Sequence, residues 1–272
     1  IPMFIILGVL CGLMSYYFTS VNTAVGRFFR RFDSQYKKWA VGGVLIGVLI
    51  FIFPPLYGEG YEAMTALMRG ETHSLFDNSL FFRFSSIEWV VILFVVATML
   101  FKVVAMAATN SAGGVGGTFA PSLFVGSFIG ALTALVFNMI FRWVGIDMQL
   151  SIVSFTLVGM AGVMAGVMNA PLTSIFLIAE LSNGYELFIP LMITASISFA
   201  LDYYLNPDSI YTKQLRERGE LLTHNKDQSV LVFLHIDRLM ETDFLRIDES
   251  FTLGDIVKII SKAHRNIFPV VD

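Results

Sequence analysis

From Val103 to Phe141 the chain carries no acidic or basic side chain. Such a run cannot coat a water-facing surface, so it lies in a protein core or in lipid. It is not alone: Ile1–Gly26, Trp39–Gly58, Trp89–Phe101, Met148–Ala179 and Leu187–Leu201 are uncharged too. A helix needs about 20 mostly apolar residues to cross a bilayer, and these runs fill most of the chain up to Leu201. Over the 272 residues, 56% are hydrophobic and 14% charged, where a soluble domain has about 25% charged. The pattern predicts an all-α polytopic membrane protein. It excludes a single water-soluble globule, a disordered chain and a collagen-like one.

With one cysteine, Cys11, a disulfide framework is impossible and a cysteine zinc site is not expected. The net charge of −3, mixed in sign along the chain, does not point to nucleic acid. His73, His224, His235 and His264 lack metal-ligand spacing, so no metal is expected. The chain opens at Ile1-Pro2-Met3 directly into apolar sequence, without the basic n-region or cleavage site of a signal peptide. It stops at Pro269-Val270-Val271-Asp272 inside a strand-like run, and reads as an internal piece of a longer protein.

Two apolar runs are interrupted. Val103–Phe141 is broken at Asn110–Gly117, where four glycines fall in five residues (Gly113, Gly114, Gly116, Gly117). Glycine disfavours a continuous helix. Met148–Ala179 carries Gly159, Gly162, Gly166 and then Asn169-Ala170-Pro171. Its glycines read equally as helix breaks or as close-packing positions. Interrupted hydrophobic segments are a pointer to a transporter's binding site.

At Gly116-Gly117-Thr118-Phe119-Ala120-Pro121 the glycines end and a proline sits where a helical first turn tolerates it. A helix is expected from near Phe119. Its first backbone N–H groups have no partner within the helix. At membrane depth each would cost several kcal/mol if unsatisfied, and an anion at the positive end of the helix satisfies them. The run from Val103 to Phe141 has no Lys or Arg, so partial charges rather than a full cation would hold the ion. That suits an ion that must leave as well as enter.

After Leu201 the composition changes. Positions 223–239 read as a polar linker. Beyond it lie the strand-like Phe244–Ile247, an amphipathic helix at Leu253–Ile260 with Thr252 as its N-cap, and a second strand at Ile267–Val271. This is the start of a β-α-β unit.

Gly117-Thr118-Phe119-Ala120-Pro121 resembles the G-x-F-x-P motif of the chloride channel and chloride/proton antiporter family (CLC). Gly58–Ala63, Leu181–Leu187 with Ile189–Ile193, and Pro207-Asp208-Ser209-Ile210-Tyr211 are similar to further segments of that family. The resemblance covers 1–222 and implies the second half of an inverted-repeat membrane domain. Positions 240–272 are similar to the first part of a cystathionine-β-synthase-type (CBS) domain, a truncated cytosolic α/β segment.

The resemblance implies that the amides of Thr118 and Phe119 and the hydroxyl of Tyr211 line a chloride site, with Gly116, Gly117 and Pro121 supporting the loop. The family often has an aliphatic residue at the position of Thr118. By itself Tyr211 reads as an interfacial anchor at the end of the last span. The serine- and glutamate-bearing segments of the family's first half are absent from this sequence, so channel and antiporter both stay open.

The resemblance further implies a multi-pass cell-membrane protein with its CBS segment in the cytoplasm. It implies a homodimer through helices near 2–18, 172–181 and 188–201, with Gly8, Gly12, Ser196 and Ser198 as small contact residues. The basic run Arg27, Arg30, Arg31, Lys37 and Lys38 reads as cytoplasmic by the positive-inside rule, whereas the family pattern places it outside and is preferred. Glu180 reads as a helix-end residue, and Glu59 and Glu62 as solvated.

Chloride and the lipid bilayer are the expected partners. No cofactor is expected beyond an adenine nucleotide at a complete CBS pair. Alternatives are a membrane-anchored CBS nucleotide-sensing module and a secondary transporter of another anion such as fluoride or nitrate. No nucleophile–base pair is present, and Gly113–Gly117 is not followed by the Gly-Lys-Ser/Thr of a phosphate loop, so no enzyme is expected.

Overall fold

A computed structural model describes residues 1–77, 79–84, 87–182, 185–207, 209–217, 245–263 and 267–271. The chain divides into two compact units, Ile1–Glu217 and Arg218–Asp272.

The first unit is helical. In chain order its helices are α1 (Pro2–Phe29), α2 (Gln35–Ile52), α3 (Tyr61–Met68), α4 (Glu88–Ser111), α5 (Phe119–Val144), α6 (Ile152–Met168), α7 (Pro171–Leu181), α8 (Phe188–Leu205) and α9 (Ile210–Glu217). The helices α1, α2, α4 and α5, and the segment Phe188–Lys213 that contains α8, are long and apolar enough to cross a membrane. The α6 and α7 helices are apolar but shorter.

The centre of the unit is α6. Every residue from Phe155 to Val167 is buried, so this helix has no lipid-facing or solvent-facing side. It is surrounded by α1, α5, α7 and α8. Its glycines explain how. Gly159 meets the backbone of Gly126 and Gly130 on α5, Gly162 meets Cys11 and Thr194, and Gly166 meets Ser15 and Ser198. The α6 helix therefore runs unbroken through all three glycines, which act as close-packing positions and not as breaks. The break comes after them: Asn169 ends α6 in the left-handed conformation at φ 52°, and Pro171 opens α7.

Polar side chains tie the helices across this core. The Ser15 hydroxyl reaches the carbonyls of Cys11 at 2.9 Å and Val163 at 3.1 Å, and the Thr194 hydroxyl donates to Phe4 O at 3.0 Å.

Of the small residues expected on a dimer face, Gly8, Gly12 and Ser198 are used within the chain, while Ser196 is exposed. A β-carbon on Gly8 would stand 2.9 Å from Ile197 Cβ, and one on Gly12 2.9 Å from Leu201 Cβ. Ser198 is fully buried. These positions hold α1 against α8, because Gly8 and Gly12 share one face of α1 and that face packs inward. The outward faces carry Ile5, Val9, Leu13, Phe176, Ile189 and Met192 instead.

The second unit contains β1 (Ile247–Asp248), α10 (Leu253–Ile260) and β2 (Val270–Val271), with β1 parallel to β2. A capping box between Thr252 and Asp255 starts α10. The helix spans the expected Leu253–Ile260 and β2 lies within the expected Ile267–Val271, while β1 shares only Ile247 with the expected Phe244–Ile247. Phe244, the 223–239 linker, His224, His235 and His264 lie outside the described residues.

Candidate functional site

The glycine-rich break separates α4 from α5. Ala112 caps α4, and Gly113 takes φ +101°, a backbone conformation that a β-carbon strains. The Gly114 amide then donates to Thr109 O at 2.9 Å, closing the end of α4. Gly116 lies against this helix end, where a β-carbon would stand 2.7 Å from Asn110 Oδ1. Gly117 is open: among the described residues a β-carbon there would meet only Phe119 N, at 3.9 Å.

Helix α5 starts at Phe119 with Thr118 as its N-cap. Threonine is a common N-cap because its hydroxyl can accept from the N–H of the second or third helical residue. Here it does not do so. The third helical residue is Pro121, which has no N–H. The Thr118 backbone, at φ −96° and ψ −14°, is already helical rather than extended. The amides of Thr118, Phe119 and Ala120 therefore remain without an acceptor among the described residues. The first bond of the helix is Ser122 N to Thr118 O, at 3.1 Å.

The Thr118 hydroxyl turns instead to a distant part of the chain. Its Oγ1 lies 2.7 Å from Tyr211 Oη, and either oxygen can be the donor. Tyr211 belongs to α9, whose start is organised by the Ser209 hydroxyl accepting from Thr212 N at 3.2 Å. Thus Thr118, Phe119 and Tyr211 come together, with Gly117 beside the Phe119 amide and Pro121 in the first turn. Asp208, part of the segment leading to Tyr211, lies outside the described residues.

This place is open. Thr118 is 8% exposed, but Gly113–Gly117 are exposed and Phe119 is 42% exposed. Among the described residues the loop lies on the surface of the unit. A cavity of about 1010 Å³ lies elsewhere, lined by Glu59, Glu62, Arg69, Glu71 and Asp77 around the α2–α3 connection. Glu59 and Glu62 are exposed there, as read from the sequence, and Glu180 is exposed in the last turn of α7. No group of three or more His, Cys, Asp or Glu among the described residues could hold a metal.

Two buried charged residues went unremarked in the sequence. Lys102 on α4 is 2% exposed. Its ammonium donates to Gly58 O at 2.9 Å and Leu56 O at 3.3 Å, and sits 4.5 Å above the Phe124 ring of α5. The Lys102 charge is thus engaged by carbonyls and an aromatic face. Asp202 on α8 is 1% exposed, and its Oδ1 has no hydrogen-bond partner among the described residues. The only sequence sign of either was a charge at the end of an apolar run, where snorkelling to the interface is the ordinary expectation.

The family model described as "Voltage gated chloride channel" matches residues 1–203. The chain is 24% identical to chloride channel protein CLC-f of Arabidopsis thaliana over all of its own length and 38% of that protein. It is 28% identical to the H(+)/Cl(-) exchange transporter ClcA of Salmonella agona over 77% of the chain and 41% of the relative. A solved structure of a slow cyanobacterial Cl⁻/H⁺ antiporter matches with a TM-score of 0.62 and 26% identity, over 82% of this chain and 48% of that one. The chain therefore spans less than half the length of each of these proteins. With the family model covering most of the residues and the helical unit matching an antiporter fold, this chain belongs to the voltage-gated chloride channel (CLC) family, whose members are channels and transporters.

Proposed function

We propose that this chain supplies one half of a chloride pathway through a membrane. The amides of Thr118 and Phe119 and the hydroxyl of Tyr211 contact the ion, and Gly116, Gly117 and Pro121 shape the turn that presents them. The supporting observation is the helix start itself. Three N–H groups without acceptors stand beside a tyrosine hydroxyl delivered from 93 residues away, in a segment free of Lys and Arg. Amide dipoles and hydroxyls hold a monovalent anion without a full opposing charge, which permits both binding and release. The open face of the loop is where the rest of such a site would close over it.

On this reading the protein is a multi-pass protein of the cell membrane. The β-α-β segment in 240–272 is the start of a cytoplasmic CBS domain, and exposed apolar faces on α1, α7 and α8, near 2–18, 172–181 and 188–201, contribute to a homodimer. The test is chloride efflux from proteoliposomes holding the full-length protein, with anion binding measured in parallel. The proposal expects efflux, weakened modestly by Tyr211→Phe because the amides remain. It expects stronger weakening by Gly117→Val, whose side chain would occupy the open space through which an ion approaches the Phe119 amide. Efflux and binding indifferent to both substitutions would refute the site.

A further inference from the structure

We infer that Thr118 and Tyr211 act as one hydroxyl pair that always presents a single O–H to the anion, and that either partner can supply it. This rests on the anion-site reading above and assigns to the Thr118 side chain a role separate from its amide.

The inference starts from what a threonine at a helix start normally does. Its hydroxyl caps the helix, accepting from an amide one turn in. Here that option is removed twice. Pro121 offers no N–H, and the helical φ and ψ of Thr118 do not aim the hydroxyl back along α5. The hydroxyl is left for another partner beside the unpaired amides, and it meets Tyr211 Oη at 2.7 Å. Each hydroxyl has one proton and can accept through its lone pairs. Two hydroxyls therefore hold two protons, and the bond between them uses one. The second proton is left on whichever oxygen accepts in that bond, and it can point to an anion. Because the accepting hydroxyl is polarised by the bond it receives, its own proton is a better donor than an isolated hydroxyl's.

The two donor directions are equivalent in count: one internal bond and one outward O–H. An aliphatic residue at position 118 would remove the internal bond and leave Tyr211 alone to donate. A phenylalanine at 211 would leave Thr118 alone to donate. Each single loss keeps one outward O–H, and only the double loss removes it. The pair should therefore behave as redundant in either single variant and fail in the double variant. A merely structural contact would not do this, because once one partner is gone, removing the other costs nothing further.

The test is a double-mutant cycle in the full-length protein. Chloride binding is measured by calorimetry for wild type, Thr118→Val, Tyr211→Phe and the double variant. Thr118→Ser serves as the conservative control, and melting temperatures establish that each variant is folded. Loss of one neutral hydrogen bond corresponds to about 2–10-fold in affinity, and each single variant is expected at the lower end of that range. The double variant should be weaker than the product of the singles by at least about threefold, a coupling of the size seen for residues in direct contact. Thr118→Ser should bind as wild type does. A double variant equal to the product of the singles, or no worse than the weaker single, overturns the pair. Gly117→Val separates the two claims: weaker binding in that variant beside a product-of-singles double leaves the amide site standing and removes only the pair. Binding unchanged in every variant removes the site reading itself.

Discussion

Gly126 of α5 and Gly159 of α6 meet backbone to backbone. A β-carbon on Gly126 would stand 2.6 Å from the Gly159 carbonyl oxygen, and one on Gly159 would collide with the Gly126 carbonyl. Neither obstacle is a flexible side chain, so the helices themselves must separate. Alanine at either position is expected to destabilise the membrane unit by about 1–3 kcal/mol, the usual cost of overpacking. Thermal unfolding in detergent checks this, and an unchanged melting temperature in both variants would mean that α5 and α6 are not in this contact. Because α5 carries the candidate anion site at its start, the same variants should also weaken anion binding.

Lys102 ties the α2–α3 connection to α4 through the carbonyls of Leu56 and Gly58. Lys102→Met keeps the length and loses the donor, leaving two carbonyls without their partner. The expected loss is about 1.5–3 kcal/mol, the range for hydrogen bonds to charged groups. Limited proteolysis within Tyr57–Tyr61 should become faster in this variant, while a connection held by other contacts would be cut at the wild-type rate.

Asp202 and Ser198 lie one helical turn apart on α8, both buried, and each has an oxygen without a partner among the described residues. A polar group that is buried and incompletely satisfied opposes folding. Asp202→Leu should therefore leave the melting temperature unchanged or raise it. A marked fall would show that the carboxylate has a partner that holds the fold together.

In the second unit, Asp248 Oδ1 accepts from the Ser250 hydroxyl at 2.5 Å and from the Ser250 amide at 2.9 Å. These bonds favour the carboxylate and hold the group below the ordinary Asp range, the side-chain bond being the larger cause. A carboxylate depressed in the folded state contributes stability above its unfolded pKa, and that contribution is lost as pH falls through the folded value. Ser250→Ala removes the larger cause, so the Asp248 carboxyl should titrate at higher pH. Carbon-detected NMR of labelled aspartate reads this directly, and an identical midpoint in the variant would contradict it.

How much of this was legible in the residues depends on how local the cause was. The start of α5 at Phe119 was readable because glycines end and a proline follows within a few positions. The capping of α10 was readable because Thr252 and Asp255 are three apart. The continuity of α6 was not readable, because a glycine that breaks a helix and one that admits a neighbour look alike along the chain. What decides is Ser15, Gly126 and Thr194, all far away in sequence. The same holds for Gly8 and Gly12, whose small size was visible but whose partners on α8 were not. Gly117, Thr118, Phe119 and Tyr211 were singled out through resemblance to a family, while the hydroxyl contact between Thr118 and Tyr211 was visible in neither composition nor spacing. Lys102 and Asp202 were hidden because a charge beside an apolar run ordinarily reaches for water.

The central claim is that the unpaired amides opening α5 hold a halide. Bromide soaked into crystals of the full-length protein tests it most directly, because its anomalous scattering locates the ion independently of any assumed site. The account predicts an anomalous peak in contact with the amide of Phe119 and within hydrogen-bond reach of the Thr118–Tyr211 hydroxyls. Bromide ordered elsewhere along the pathway, with those amides capped by protein carbonyls, would contradict it.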